Sequence, residues 1–249
     1  MVTLASKNVV IVGASRGVGR AIARRMAAEG AHVLAVGRTQ ASLEQLGREL
    51  PGTQTLSIDA AAEAAPSRVF AALRPDLLVL CGGARPPVRP IHELTWEEFA
   101  VNWETDVRIS FAFCREALRL PLPPGATVIV ISSGAALGGS PISGGYAGAK
   151  RTQMFIANYA QKESDRLKLG VRFFALAPAR IMPETELGRF AVEGYARYLG
   201  ISPAEFVEGM SSRQTPEDVA NATTELATKS ADFRGSVFTI SGEGIAPAQ

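Results

Sequence analysis

The sequence predicts a doubly wound α/β domain, with a seven-stranded parallel sheet and helices on both faces. Three observations carry this expectation. Short, continuous apolar runs rich in Val, Ile and Leu alternate along the chain with amphipathic stretches of helical period. A glycine-rich turn joins the first apolar run to the first amphipathic stretch. No linker, repeat or low-complexity segment divides the 249 residues, so a single domain over 1–249 is expected.

The elements follow in order. Residues 8–12, NVVIV, read as a buried strand, and residues 20–30, RAIARRMAAEG, as a helix closed by Gly30. AHVLAVG at 31–37 is a second strand, followed by a helix over 40–50. TQTLSID at 53–59 is a third strand, and residues 65–74 form a short helix. DLLVLCGGA at 76–84 is a fourth strand that ends on glycines. A long helical stretch covers 95–120, with a break near Trp103. ATVIVISS at 126–133 is the fifth strand, residues 146–169 are helical, and VRFFALAP at 171–178 is the sixth strand. Residues 182–212 carry few strand signals and read as a helical lid or loop. Residues 216–228 are a helix with Pro216 in its first turn, and SVFTIS at 236–241 closes the sheet. Strands alternating with helices require right-handed crossovers.

Composition narrows the partners. The chain is 47% hydrophobic and 20% charged, with a net charge of +2 and no basic run, so neither nucleic acid nor an anionic membrane surface is expected. No apolar stretch approaches the roughly 20 residues that span a bilayer. The first 15 residues lack the regions of a secretory signal. Cys81 and Cys114 make neither a disulfide framework nor a metal cluster, and His32 and His92 are the only histidines. A reduced, cytoplasmic setting and no metal are expected.

In open parallel sheets, ligands bind beyond the carboxyl ends of the strands. The chemically suggestive residues fall there: the Gly13 loop, Arg38, Gly82 and Ser133. Tyr146 and Lys150 are one helical turn apart and share a helix face. An ammonium beside a phenol favours the phenolate and suits it to proton transfer near neutral pH. The same spacing also occurs as a solvated polar pair, so the surrounding chain must decide. Gly13, Ser15, Arg16, Gly17, Val18 and Gly19 belong to a G-x-x-x-G-x-G turn between strand and helix. Glycine permits close approach to a pyrophosphate, and the helix N-terminus offers free N–H groups and a positive dipole end.

GASRGVG together with YAGAK resembles the short-chain dehydrogenase/reductase family, over nearly the whole chain. The resemblance implies a Rossmann-type domain, a nicotinamide cofactor and a homodimer or homotetramer. It makes Tyr146 the general acid for carbonyl reduction and the general base for alcohol oxidation. Lys150 would hold the nicotinamide ribose and depress the tyrosine pKa. Ser133, at the family's interval from Tyr146, would orient the substrate oxygen; Ser132 would serve backbone groups at the strand end. Asp59 and Ala60 resemble the family's adenine-contacting pair, although Asp59 also reads as a helix cap or turn. Gly82 keeps the close backbone approach to the cofactor, and Ile181 offers its backbone to the nicotinamide amide.

The second strand ends in Gly37-Arg38, with no acid that would bind an adenosine 2′-hydroxyl. Arg38 and Arg16 suit a phosphate dianion by charge and fork geometry, so NADP(H) is expected over NAD(H). Alternatively, Arg38 stacks on adenine or faces solvent. Several positions depart from the family pattern. Aligning residues 97–118 sets Phe99 at the usual tryptophan and Asp106 at the usual asparagine, leaving Asn102 out of register. Asp106 is then a tolerated replacement whose backbone carbonyl holds a water, a modified relay paired with Lys150, or a sign of weakened catalysis. Leu80-Cys81-Gly82-Gly83, Pro178-Ala179 and Ser241-Gly242-Glu243-Gly244 also replace family motifs. Cys81 reads as a small strand-end residue or as a reactive thiol. Thr185 is placed to cap a helix or meet the cofactor phosphates.

Residues 84–95 and 182–212 should close the pocket. Phe190, Tyr195, Tyr198, Leu199, Phe206 and Met210 either line it for an aliphatic or aromatic carbonyl compound or pack the lid. Arg85 and Arg89, near its mouth, either meet a substrate anion or stay solvated. The expected function is therefore an NADP(H)-dependent oxidoreductase acting on a carbonyl or secondary alcohol. The alternative is a cofactor-binding sensor or scaffold of the same fold that has lost turnover.

Overall fold

The computed structural model describes residues 3–211, 213–242 and 244–248. It contains one eight-stranded sheet. The strands are β1 Asn8–Val12, β2 His32–Gly37, β3 Gln54–Ser57, β4 Leu77–Leu80, β5 Thr127–Ile131, β6 Arg172–Pro178, β7 Val237–Ser241 and β8 Gly244–Pro247. Their order is β3-β2-β1-β4-β5-β6-β7-β8. The first seven pair in parallel; β8 pairs antiparallel with β7 as a hairpin. The expected seven-stranded sheet therefore gains an edge strand. The exposed, proline-containing GIAP segment carries too little apolar pattern to announce a strand. Glu243, part of the departing C-terminal motif, lies outside the described residues.

The helices are α1 Gly17–Ala28, α2 Gln40–Glu49, α3 Ala65–Ala72, α4 Trp96–Asn102, α5 Arg108–Arg119, α6 Ala135–Gly138, α7 Gly144–Arg166, α8 Glu186–Leu199, α9 Pro203–Glu208 and α10 Pro216–Thr228. Each central strand is apolar on both faces because both faces are covered. Val9 and Ile11 of β1 pack with Ile22 and Met26 of α1, Leu43 of α2 and Val219 of α10. Val10 and Val12 pack with Val69 of α3, Phe113 of α5 and Met154 of α7. Fully burying side chains of this size stabilises the fold by roughly 1.5–3 kcal/mol each before entropy is counted.

Local signals set the helix boundaries. Thr95, Ser202 and Thr215 each make a capping box with the acid three residues on, at the starts of α4, α9 and α10. Gly200, left-handed at φ 70°, ends α8. The break expected near Trp103 is a π-helical turn over Trp103–Val107 between α4 and α5. Such turns concentrate at functional sites, and this one carries Asp106. α6 and a single 3₁₀ turn at Ile91–Glu93 are short elements that the sequence pattern did not separate from loop.

The sheet reverses its strand order beside β1, which is flanked by β2 and β4. A crevice must open there, beyond the carboxyl ends of the strands. The loops after β1, β2, β4, β5 and β6 all reach it, and α8 and α9 lie over it.

Candidate active site

The cleft at this switch point has a volume of about 880 Å³, within the range of small-molecule sites. At one end is the loop entering α1. Gly13 has φ +89°, and a Cβ there would lie 2.6 Å from the Gly82 nitrogen. The β1 and β4 loops therefore touch backbone to backbone at Gly13, whereas a Cβ on Gly82 would meet only ordinary contacts at 3.5 Å or more. A Cβ on Gly19 would lie 2.1 Å from the Gly13 carbonyl oxygen, so the helix can begin this close to the strand only with glycine there. Gly17, at φ +52°, has just Thr185 within 4 Å and faces open space. No side chain caps α1, and no acid sits in its first turn. Its free N–H groups and positive end therefore remain available to an anion, and residues 15–19 line the cleft.

Ser15 packs beside Gly37, whose added Cβ would meet the serine Oγ at 3.5 Å. Arg38 lines the cleft, is exposed, and makes no ion pair among the described residues. Arg16 is instead ion-paired with Glu186 at the start of α8. Asp59 Oδ1 accepts from the Ala61 N–H at 3.0 Å, so its carboxylate fixes a turn while Asp59 and Ala60 line the cleft. Thr185 caps α8, accepting from the Gly188 N–H at 2.9 Å and donating to the Met182 carbonyl. Ile181 also lines the cleft.

Ser133, Tyr146 and Lys150 meet at the other end. Ser133 lies just past β5, where its Oγ accepts from the Ala135 N–H at 3.2 Å. Ser132 Oγ donates to the Lys150 carbonyl at 2.8 Å, so it serves the backbone of α7 and not that of the strand end. Tyr146 is half-buried in the first turn of α7. That turn sits close to α4: a Cβ on Gly145 would lie 1.7 Å from the Phe99 carbonyl oxygen. The Lys150 ammonium is 5.5 Å from the Tyr146 ring centroid, donates to the Ile131 carbonyl at 3.3 Å, and lies 3.1 Å from Asp106 Oδ2. Burial alone would lower the Lys150 pKa, but the Asp106 carboxylate, with Tyr146, raises it above the ordinary lysine value.

Asp106 does more than the sequence required of it. Its Oδ1 accepts from the Ala84 N–H at 2.9 Å and from Asn102 Nδ2 at 3.2 Å. Its backbone carbonyl accepts from Ser110 Oγ at 3.0 Å and Gln153 Nε2 at 3.1 Å. The link to Lys150 therefore runs directly through the carboxylate, and the carbonyl is taken up by protein donors. Asn102, out of register by alignment, is buried and orients Asp106. Gln153 and Ser110 were missed; their signal is positional, one turn beyond Lys150 and Asp106 respectively. Gly83 is required here, because its Cβ would lie 2.6 Å from Asp106 Oδ2. Burial pushes the Cys81 thiol up to about 11, against the reading of a reactive cysteine.

The candidate lid residues divide. Tyr195, Leu199, Phe206 and Met210 line the cleft, with Tyr195 and Phe206 stacked at 5.3 Å. Phe190 instead carries the Arg85 guanidinium at 4.6 Å, Tyr198 is exposed, and Arg89 is ion-paired with Glu98. Among the described residues, no helix is long and apolar enough to cross a membrane, and no group of three or more His, Cys, Asp or Glu is placed to hold a metal.

The family described as short chain dehydrogenase matches residues 7–193. The chain belongs to this family. It is 30% identical to an L-xylulose reductase of Bos taurus over 129 residues, which is 52% of this chain and 53% of the relative. It is 35% identical to the L-xylulose reductase of Homo sapiens over 105 residues, 42% and 43% of the two chains. The chain thus spans about half the length of these curated relatives. A 3-oxoacyl-(acyl-carrier-protein) reductase of Rickettsia felis is 27% identical over 238 residues, 94% of each chain.

Proposed function

We propose that this member of the short chain dehydrogenase family is an oxidoreductase that uses NADP(H) to interconvert a carbonyl compound and a secondary alcohol. The observation that carries this reading is the placement of Ser133, Tyr146 and Lys150 in the same cleft as the uncapped start of α1 and Arg38, which makes no ion pair among the described residues. The cofactor, when bound, supplies or accepts the hydride. Gly13, Ser15, Arg16, Gly17, Val18 and Gly19 would hold its pyrophosphate. Arg38, with Arg16 once freed from Glu186, would hold the 2′-phosphate. Asp59 and Ala60 would serve the adenine, Gly82 would allow close backbone approach to the cofactor, and Ile181 would offer its backbone to the nicotinamide amide.

Tyr146 gives its phenolic proton to the carbonyl oxygen during reduction and takes it back during oxidation. Ser133 donates to the same oxygen as negative charge gathers there. Lys150 would hold the ribose beside the phenol, and Asp106 holds Lys150. The whole chain acts as one domain, with residues 182–212 as its lid. Val88, Ile142, Tyr195, Leu199, Phe206 and Met210 leave the substrate end of the cleft largely apolar, which suits a carbonyl compound with an aliphatic or aromatic body. The relatives named as reductases agree with the reaction class. Half-exposed Phe111, Phe155 and Tyr159 on α5 and α7 favour a homodimer or homotetramer, and a cytoplasmic site of action fits the unbridged cysteines.

A screen of NADPH oxidation against varied ketones and aldehydes tests the proposal. Tyr146→Phe should lower kcat by roughly 10²–10⁴ on any active compound while leaving NADPH binding in place. Cofactor binding without turnover on every compound would favour a sensor instead.

A further inference from the structure

The buried pair of Asp106 and Lys150 has a consequence for the proton on Tyr146. The Asp106 side chain is 1% exposed and that of Lys150 9%, at a separation of 3.1 Å. Burying two charges is costly, and the pair is supported by further donors: the Ala84 N–H and Asn102 amide serve Asp106 Oδ1. These donors are neutral, so the pair sums to zero charge. Tyr146 therefore faces a dipole where an unpaired lysine would present a net cation. The other titratable groups bordering this region do not change that balance. Cys81, at the end of β4, keeps its proton because burial raises its pKa to about 11. Tyr195 on α8 lines the cleft with its ring stacked on Phe206. Arg85, Arg180 and Glu205 line the cleft from exposed positions, where water screens them.

We propose that Asp106 is a positioning residue that cancels the charge of Lys150 beside the Tyr146 phenol and so biases the site toward carbonyl reduction. This rests on the reading of Tyr146 as the proton donor. In that direction two electrons move with the hydride from the dihydronicotinamide to the carbonyl carbon, and the phenolic proton moves to the oxygen. Oxidation reverses both transfers and requires the phenolate. A carboxylate that disfavours the phenolate therefore extends reduction toward alkaline pH and delays the onset of oxidation.

The test is a tyrosinate absorbance titration, with the Tyr146 signal obtained as the difference between each protein and the same protein carrying Tyr146→Phe. Asp106→Asn should move the midpoint down by about one pH unit. The alkaline limb of reduction and the acid limb of oxidation should move with it. An unchanged or raised midpoint overturns the proposal. Because Asp106→Asn leaves a buried lysine unpaired, Asp106→Asn/Lys150→Met provides a second, charge-neutral comparison. Its midpoint should fall within about half a unit of the wild type, since both present zero net charge; a larger difference overturns the proposal even if the single variant fails to fold. The titration needs no substrate. A protein that turns nothing over would count against the oxidoreductase reading and leave this measurement intact.

Discussion

Two guanidinium groups border the phosphate end of the cleft, and they are differently engaged. Arg38 is exposed and makes no ion pair among the described residues, whereas Arg16 is held by Glu186. If the cofactor carries the proposed 2′-phosphate, Arg38 would meet it without breaking an ion pair among the described residues, whereas Arg16 would first have to leave Glu186. Cofactor choice should therefore depend more on Arg38. Arg38→Asp is expected to weaken NADPH binding by about 30-fold, or 2 kcal/mol, while sparing NADH. Titrating each cofactor by its nicotinamide fluorescence separates the outcomes, and equal losses would remove Arg38 from this role. Residue type and spacing were enough to expect Arg38, Tyr146 and Lys150 at one cleft, and all three line it. The Arg16–Glu186 pair was not legible, because it joins residues 170 apart and neither partner shows a local pattern.

At the scale of elements, the site depends on how closely α7 and α4 approach. Gly145 sits directly against the Phe99 carbonyl, immediately before Tyr146. Gly145→Val must push the two helices apart, with an expected cost of about 3 kcal/mol in urea denaturation and displacement of Tyr146 from the cleft. A variant that kept wild-type stability would show that the helices shift without strain. The strands and long helices were legible because burial on two faces leaves an unbroken apolar signature, and burial on one face leaves a helical period. The π-helical turn was readable only as a break near Trp103. Asp106 on this turn is buried; its contacts with Asn102 and Ser110 are one helical turn away, whereas that with Gln153 depends on packing against α7. Likewise, Gly194 gave no signal in sequence, yet its missing side chain admits Val88: a Cβ there would lie 2.2 Å from Val88 Cγ1. Loop and lid are therefore packed together.

For the molecule as a whole, part of its acid sensitivity should come from a contact between α1 and α2. Glu49, at the end of α2, is held by Arg20 and Arg24 of α1, and hydrogen bonds from these arginines lower its pKa from 4.5 to about 2. Because the folded value is depressed, this contribution is present above the ordinary carboxylate range and is lost as pH falls from about 4.5 toward 2. Glu49→Gln should melt lower than the wild type at neutral pH, and the difference should narrow through that window in thermal melts followed by circular dichroism. A constant difference would exclude the ion pairs as its source. Cys114 offers an independent view of the same collapse. It lies in the core against α3 and α7, with its thiol pushed up to about 12 by burial, and the chain's other cysteine is also held protonated. An alkylating reagent near pH 8 therefore finds little thiolate while the fold is closed, and ordinary cysteines once it opens. The Cys114 sulfur acts as a clock for opening of the core, ticking each time the protein exposes what the sheet normally hides.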